Sequence, residues 1–132
     1  MDNSILSGKY IRNILISNNE CREIVGEKVF PLMLNPPTPD MIKFPFILFT
    51  RSLTPVYNKS LLVENQLSFV VIAVSNDYNE SLELANAIRH SLETYIIKNN
   101  DLHTTPIRLE SVNEETVNDA YLQTLIFTCT TR

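Results

Sequence analysis

The segment "LSFVVIAVSNDYNESLELANAIRHSLETY", Leu67 to Tyr95, decides the fold. It opens with an apolar run, Gln66 to Ser75, in which Leu67, Phe69, Val71 and Ala73 alternate with Val70, Ile72 and Val74. Both faces of such a strand are apolar, so it belongs in the middle of a sheet. A sharp turn follows at "SND". Asp77 with Glu80 three residues later resembles a capping box, with Asp in place of Ser or Thr. From Tyr78 to about Lys98, Tyr78, Leu82, Ala85, Ile88, Leu92, Tyr95 and Ile96 recur at steps of three and four. That spacing predicts one helix with a continuous core-facing stripe. Asn79, Glu83, Asn86, His90 and Glu93 fall on its wet face.

A strand–turn–helix joint is a common place to hold phosphate, through backbone N–H groups at the helix start. Such cradles need glycine for close backbone approach. The whole chain of 132 residues has two, Gly8 and Gly26. Neither a dinucleotide fingerprint nor a P-loop can be written from it. Asp77 therefore reads as a helix cap, and the joint as scaffold.

Working outward, "NSILSGKYIRNILISN" predicts an N-terminal helix, and "NNECREIVGEKVF" a short one ending at Gly26, the usual residue past a helix end. Lys28 to Leu34 reads as a short strand. Asn35 to Pro45, "NPPTPDMIKFP", holds four of the seven prolines and is neither helix nor central strand. "FPFILFTRS", Phe44 to Ser52, is aromatic and β-branched and reads as a strand. Leu53 to Asn65 reads as a loop or the far end of a hairpin, with Leu61, Leu62 and Val63 unusually apolar for either. Ile107 to Glu115 alternates as a half-exposed strand, "NEETVNDA" reads as a turn, and Ala120 to Thr131 as the last strand. In that strand Tyr121, Leu125, Phe127 and Cys129 share a face, and Leu122 and Ile126 make the other face partly apolar. The architecture expected is α+β: a mainly antiparallel sheet of four or five strands against two main helices, in one domain spanning 1–132.

Composition narrows the function. The hydrophobic fraction is 44% and the charged fraction 20%, typical of a globular core. The net charge is −4, without a basic run, which argues against a nucleic-acid footprint and against sequence-specific nucleic-acid binding. No apolar run reaches the length of a membrane span. "MDNSILSGKY" lacks the pattern of a signal peptide, so Cys21 and Cys129 are expected to stay reduced. Two cysteines so far apart make no zinc motif.

His90 and His103 are the only histidines, and for both the plainer reading is a solvated surface group. No catalytic arrangement stands out from chance pairing. Glu110, Glu114, Glu115 and Asp119 cluster near one turn, without the glycine and acid spacing of a calcium loop. They read as a solvated acidic surface able to orient a basic partner. No catalytic, cofactor-binding or metal-binding residue is assigned.

The order of the pieces resembles the small tail-completion and tail-terminator proteins of long-tailed phages and prophages. In that group a V-F-P-like strand leads through a Pro-containing loop to a P-F-I-like strand. A strand ending in S-x-x-Y or D-x-Y then opens a helix. Pro45, Phe46 and Ile47 match the first pattern; Ser75, Asp77 and Tyr78 match the second. The resemblance implies a structural virion protein, an oligomeric, six-fold ring at the end of the tail tube or at the head–tail junction. It implies assembly in the host bacterial cytoplasm, with copies of itself, tail-tube protein and head-connector protein as partners, no membrane, no catalysis and no cofactor. Residues 53–64 are less acidic than the family pattern, so no lumen-facing residue is assigned.

A ring is head-to-tail association and needs two different patches. The candidates are the proline-rich loop, through Pro36, Pro37, Pro39 and Met41, and the apolar hairpin, through Leu61, Leu62 and Val63. Two alternatives remain. One is a small regulatory or adaptor domain. The other is a small enzyme with a cleft near Asp77 and Tyr78, which requires those two residues and His90 to converge.

Overall fold

The computed structural model describes residues 4–31, 43–100 and 102–131. A short 3-10 turn, Ser4–Leu6, leads into α1, Ser7–Ser17, and α2, Asn19–Val25. Strand β1, Val29–Pro31, precedes a long hairpin of β2, Phe46–Asn58, and β3, Leu61–Ser75. Helix α3, Tyr78–Leu92, follows, and a second hairpin of β4, Arg108–Val117, and β5, Ala120–Thr130, closes the fold. The sheet order is β1-β2-β3-β5-β4. β1 runs parallel to β2; every other neighbouring pair is antiparallel. The architecture is α+β, with five strands and three α-helices among the described residues.

The register explains the core. Phe69 pairs with both Arg51 and Phe127, and Val71 with Phe49 and Leu125. Odd-numbered residues of β2, β3 and β5 thus share one face, where Phe69, Phe127, Leu67, Leu125 and Ile47 are fully buried. α1 and α3 lay Ile11, Leu15, Leu84, Ile88 and Leu92 against them. Each such side chain contributes about 1.5–3 kcal/mol by leaving water. Gln123, 3% exposed, stays polar inside this layer because its amide donates to Ser81 Oγ (3.3 Å), which in turn donates to the Tyr78 carbonyl (2.6 Å).

Three sequence expectations change. Helix α3 stops at Leu92 rather than Lys98. The chain turns extended at Glu93, Thr94 takes a φ of 68°, and its N–H donates to Ile107 O (2.7 Å). Tertiary pairing thus replaces the next helical bond, and Tyr95 and Ile96 end exposed. The buried stripe of α3 is Ser81, Leu84, Ala85, Ala87, Ile88, Ser91 and Leu92, and Tyr78 and Leu82 lie outside it.

Of the two readings of Leu53 to Asn65, the far end of a hairpin is the one the structure shows. Both strands of the first hairpin continue through these residues to a two-residue turn, Lys59–Ser60, where both φ angles are positive (52° and 68°). That sign matches the right-handed twist of a hairpin. "NEET" is likewise strand; the second turn is confined to Asn118 and Asp119, with Asn118 at φ 54°. The proline-rich segment, with Pro36, Pro37, Pro39 and Met41, lies outside the described residues.

Candidate functional site

The first hairpin overhangs the sheet. Among the described residues, β5 accompanies β3 as far as the Gln66↔Thr130 pair, and β1 covers β2 at Ile47, Leu48 and Phe49. Beyond Gln66 the two strands project as a ribbon, anchored where Thr131 N–H donates to Asn65 O (2.9 Å) and Asn65 N–H to Thr131 Oγ1 (3.0 Å). Near its end the register slips between Val56 and Tyr57, so Val63 becomes an extra residue in β3. Such a bulge sharpens local twist and re-aims side chains. Leu61 is 73% exposed, Leu62 50%, Val63 60% and Tyr57 61%. These four form an apolar arm held away from the core.

The second surface is the sheet face turned from the helices. Even-numbered residues form rows across it: Phe46–Val74–Leu122, Leu48–Ile72–Thr124, Thr50–Val70–Ile126, Ser52–Ser68–Thr128 and Thr54–Gln66–Thr130. The chemistry changes along the strands. The three rows near α3 are apolar apart from Thr124 and Thr50, and the two near the arm are hydroxyls and an amide. None of Phe46, Leu48, Val70, Ile72, Leu122 and Ile126 belongs to the core cluster, and each keeps part of its surface exposed. Phe44 stacks on Phe46 with ring centroids 5.7 Å apart. The polar rows border an open groove of about 530 Å³ lined by Ser52, Gln66, Ser68, Arg108 and Thr128 among others. There Thr128 Oγ1 donates to Glu110 Oε1 (2.8 Å).

The joint between β3 and α3 is closed by its own hydrogen bonds. Ser75 Oγ accepts from Asp77 N–H (3.1 Å) and donates to Glu80 (2.8 Å). Asp77 Oδ1 accepts from Asn79 N–H (3.0 Å), as a helix cap should. The Tyr78 hydroxyl donates to Glu114 at 3.0 Å, and its ring meets Tyr121 edge-on at 5.3 Å. The bond to Glu114 and the charge beside it raise the phenol's pKa, the opposite of what a tyrosine base requires.

His90 stands twelve positions further along α3, about 18 Å by helical rise. It contacts Glu20 of α2 at 3.1 Å. Asp77, Tyr78 and His90 therefore do not converge. His103 pairs in an isolated bridge with Lys98. Among the described residues no group of three or more His, Cys, Asp or Glu side chains could hold a metal ion. Cys21 and Cys129 are free and buried.

The acidic cluster has a definite place. Glu115 pairs with Leu122 and so borders the apolar rows; Glu114 pairs with Gln123 on the helix side. Asp77, Glu80 and Asp119 lie at the same end of the sheet. No Lys or Arg occurs from Ser75 to Ile88 or from Leu109 to Thr131.

The structure leaves the apolar residues of the hairpin exposed and brings them into one arm. What sequence reasoning missed is the gradient on the outer face. Its signal was present in the apolar even positions of β3 and in Leu122 and Ile126, but only the register aligns them into rows.

No protein-family model matches the chain. No curated protein is significantly similar to it in sequence. Among solved structures, a chain from the virion of a native gene transfer agent particle shares the fold. The TM-score is 0.75 over 92% of this chain and 90% of that one, and 12% of residues are identical. At that identity the likeness is one of architecture.

Proposed function

We propose that this protein is a structural subunit of a phage-like virion, which assembles into a ring, six-fold by the family resemblance, at the end of a tail tube or at the head–tail junction. The observation that carries the reading is the shared fold with a virion chain across nearly the full length of both. Three features of the chain support it. An exposed apolar arm projects from the body. A second apolar surface lies outside the core on the sheet. The one candidate catalytic constellation is spread along α3. Large exposed apolar patches on a stable fold mark interaction surfaces.

The partners in this reading are other copies of the chain, with tail-tube and connector proteins above and below the ring. The single domain is the repeating unit. No helix among the described residues is long and apolar enough to cross a membrane.

Light scattering of the purified protein tests the reading. A ring gives a mass near six times the 15.1 kDa subunit, and negative-stain images give annular particles. Leu61→Ser with Leu62→Ser returns the mass to that of a monomer while circular dichroism stays unchanged. A wild type that stays monomeric at high concentration, and also in the presence of tail tubes, would sink the reading.

A further inference from the structure

The arm and the outer face are two different apolar surfaces on the same two strands, and a single copy cannot bring them together. Ten residues of β3 separate Leu62 from Ile72, about 33 Å of extended chain. A hydrogen-bonded ribbon of that kind does not fold back onto its own sheet. Each surface therefore calls for a second molecule. Association between unlike patches is heterologous, the geometry that generates rings.

Charge selects the same pairing. Lys59 sits at the tip of the arm, in the turn. The apolar row through Leu122 ends at Glu115, Asp119 stands in the adjoining turn, and there is no cation in β4 beyond Arg108 or in β5. We propose that the β2–β3 arm of one subunit lies across the apolar rows of the next subunit's outer sheet face, with Lys59 set against the acidic end at Glu115. The occupant is a second copy of this chain. Tyr57 and Leu62, directly opposed on one face of the ribbon, supply the apolar area, and the Lys59–Glu115 contact fixes direction, since an opposite docking would put Lys59 over the hydroxyl rows. This inference rests on the assembly reading above and specifies its contact.

The test uses charge exchange and cross-linking on the full chain. Lys59→Glu weakens self-association about tenfold, as loss of a complementary interfacial charge does. Glu115→Lys alone weakens it similarly, and the double variant recovers most of the loss. Independently, Leu62→Cys mixed with Ile72→Cys yields a mixed disulfide dimer well above the yield of either variant alone. Ile126→Cys serves in place of Ile72→Cys if the latter loses its native circular dichroism. The native cysteines are buried and leave the readout clean. An oligomer that tolerates both charge reversals and gives no mixed cross-link overturns this contact and leaves the ring reading standing. A protein monomeric under every condition overturns both.

Discussion

Cys21 and Cys129 are thiols with no route to chemistry. Both are buried, and burial pushes each pKa from about 9 up to about 11. The thiolate is the reactive form, so at pH 8 a thiol reagent should react only as fast as the protein unfolds. The sign of the pH effect follows. Their contribution to stability is whole below pH 9 and is lost as pH rises toward 11, because the unfolded state ionises first. Urea titrations at pH 8 and pH 10.5 should show a fall in stability that is smaller in Cys129→Ala than in the wild type. Gly8 lies at the opposite extreme of constraint. It sits inside α1, and a Cβ added there would meet Phe49 Cε2 at an ordinary 3.9 Å. Gly8→Ala should therefore stabilise the protein by about 1 kcal/mol through helix propensity, read as a raised urea midpoint.

At the scale of elements, the β3–α3 joint shows what a sequence can reveal and what it withholds. Asp77 was legible as a cap because the chemistry is local: a carboxylate beside the free N–H groups of a helix start. Asp77→Ala should cost about 1 kcal/mol in urea unfolding, with assembly unaffected. The far end of the same helix was not legible. Tyr95 and Ile96 continue the apolar period, and nothing within ten residues marks the stop. The stop is made by Ile107, whose carbonyl and N–H take up Thr94 and Tyr95. Helical period placed Ala85, Ile88 and Leu92 in the buried face correctly, but Ser81 and Leu84 complete it and Tyr78 and Leu82 do not. A serine inside and a tyrosine outside depend on Gln123 and Glu114, which stand far off in sequence.

For the whole molecule, the fold class, the strand sequence and the central position of β3 could all be read from alternation and turn chemistry. The two apolar surfaces could be read only in part. The apolarity of Leu61, Leu62 and Val63 was visible, but their standing at the end of a ribbon follows from where β5 stops. That ribbon has a further consequence, for the free protein in solution. Asn65 turns its N–H and C=O toward Thr131, so its partner Pro55 turns its backbone nitrogen to the open border of β2. An open border is a template on which other chains can polymerise as cross-β fibres. Proline at this position removes one of the donors that such growth needs. Pro55→Val should leave the fold intact yet shorten the lag before thioflavin-positive fibrils form in concentrated solution. The arm that holds its apolar residues in the open thus carries, in one ring of pyrrolidine, a brake on uncontrolled polymerisation.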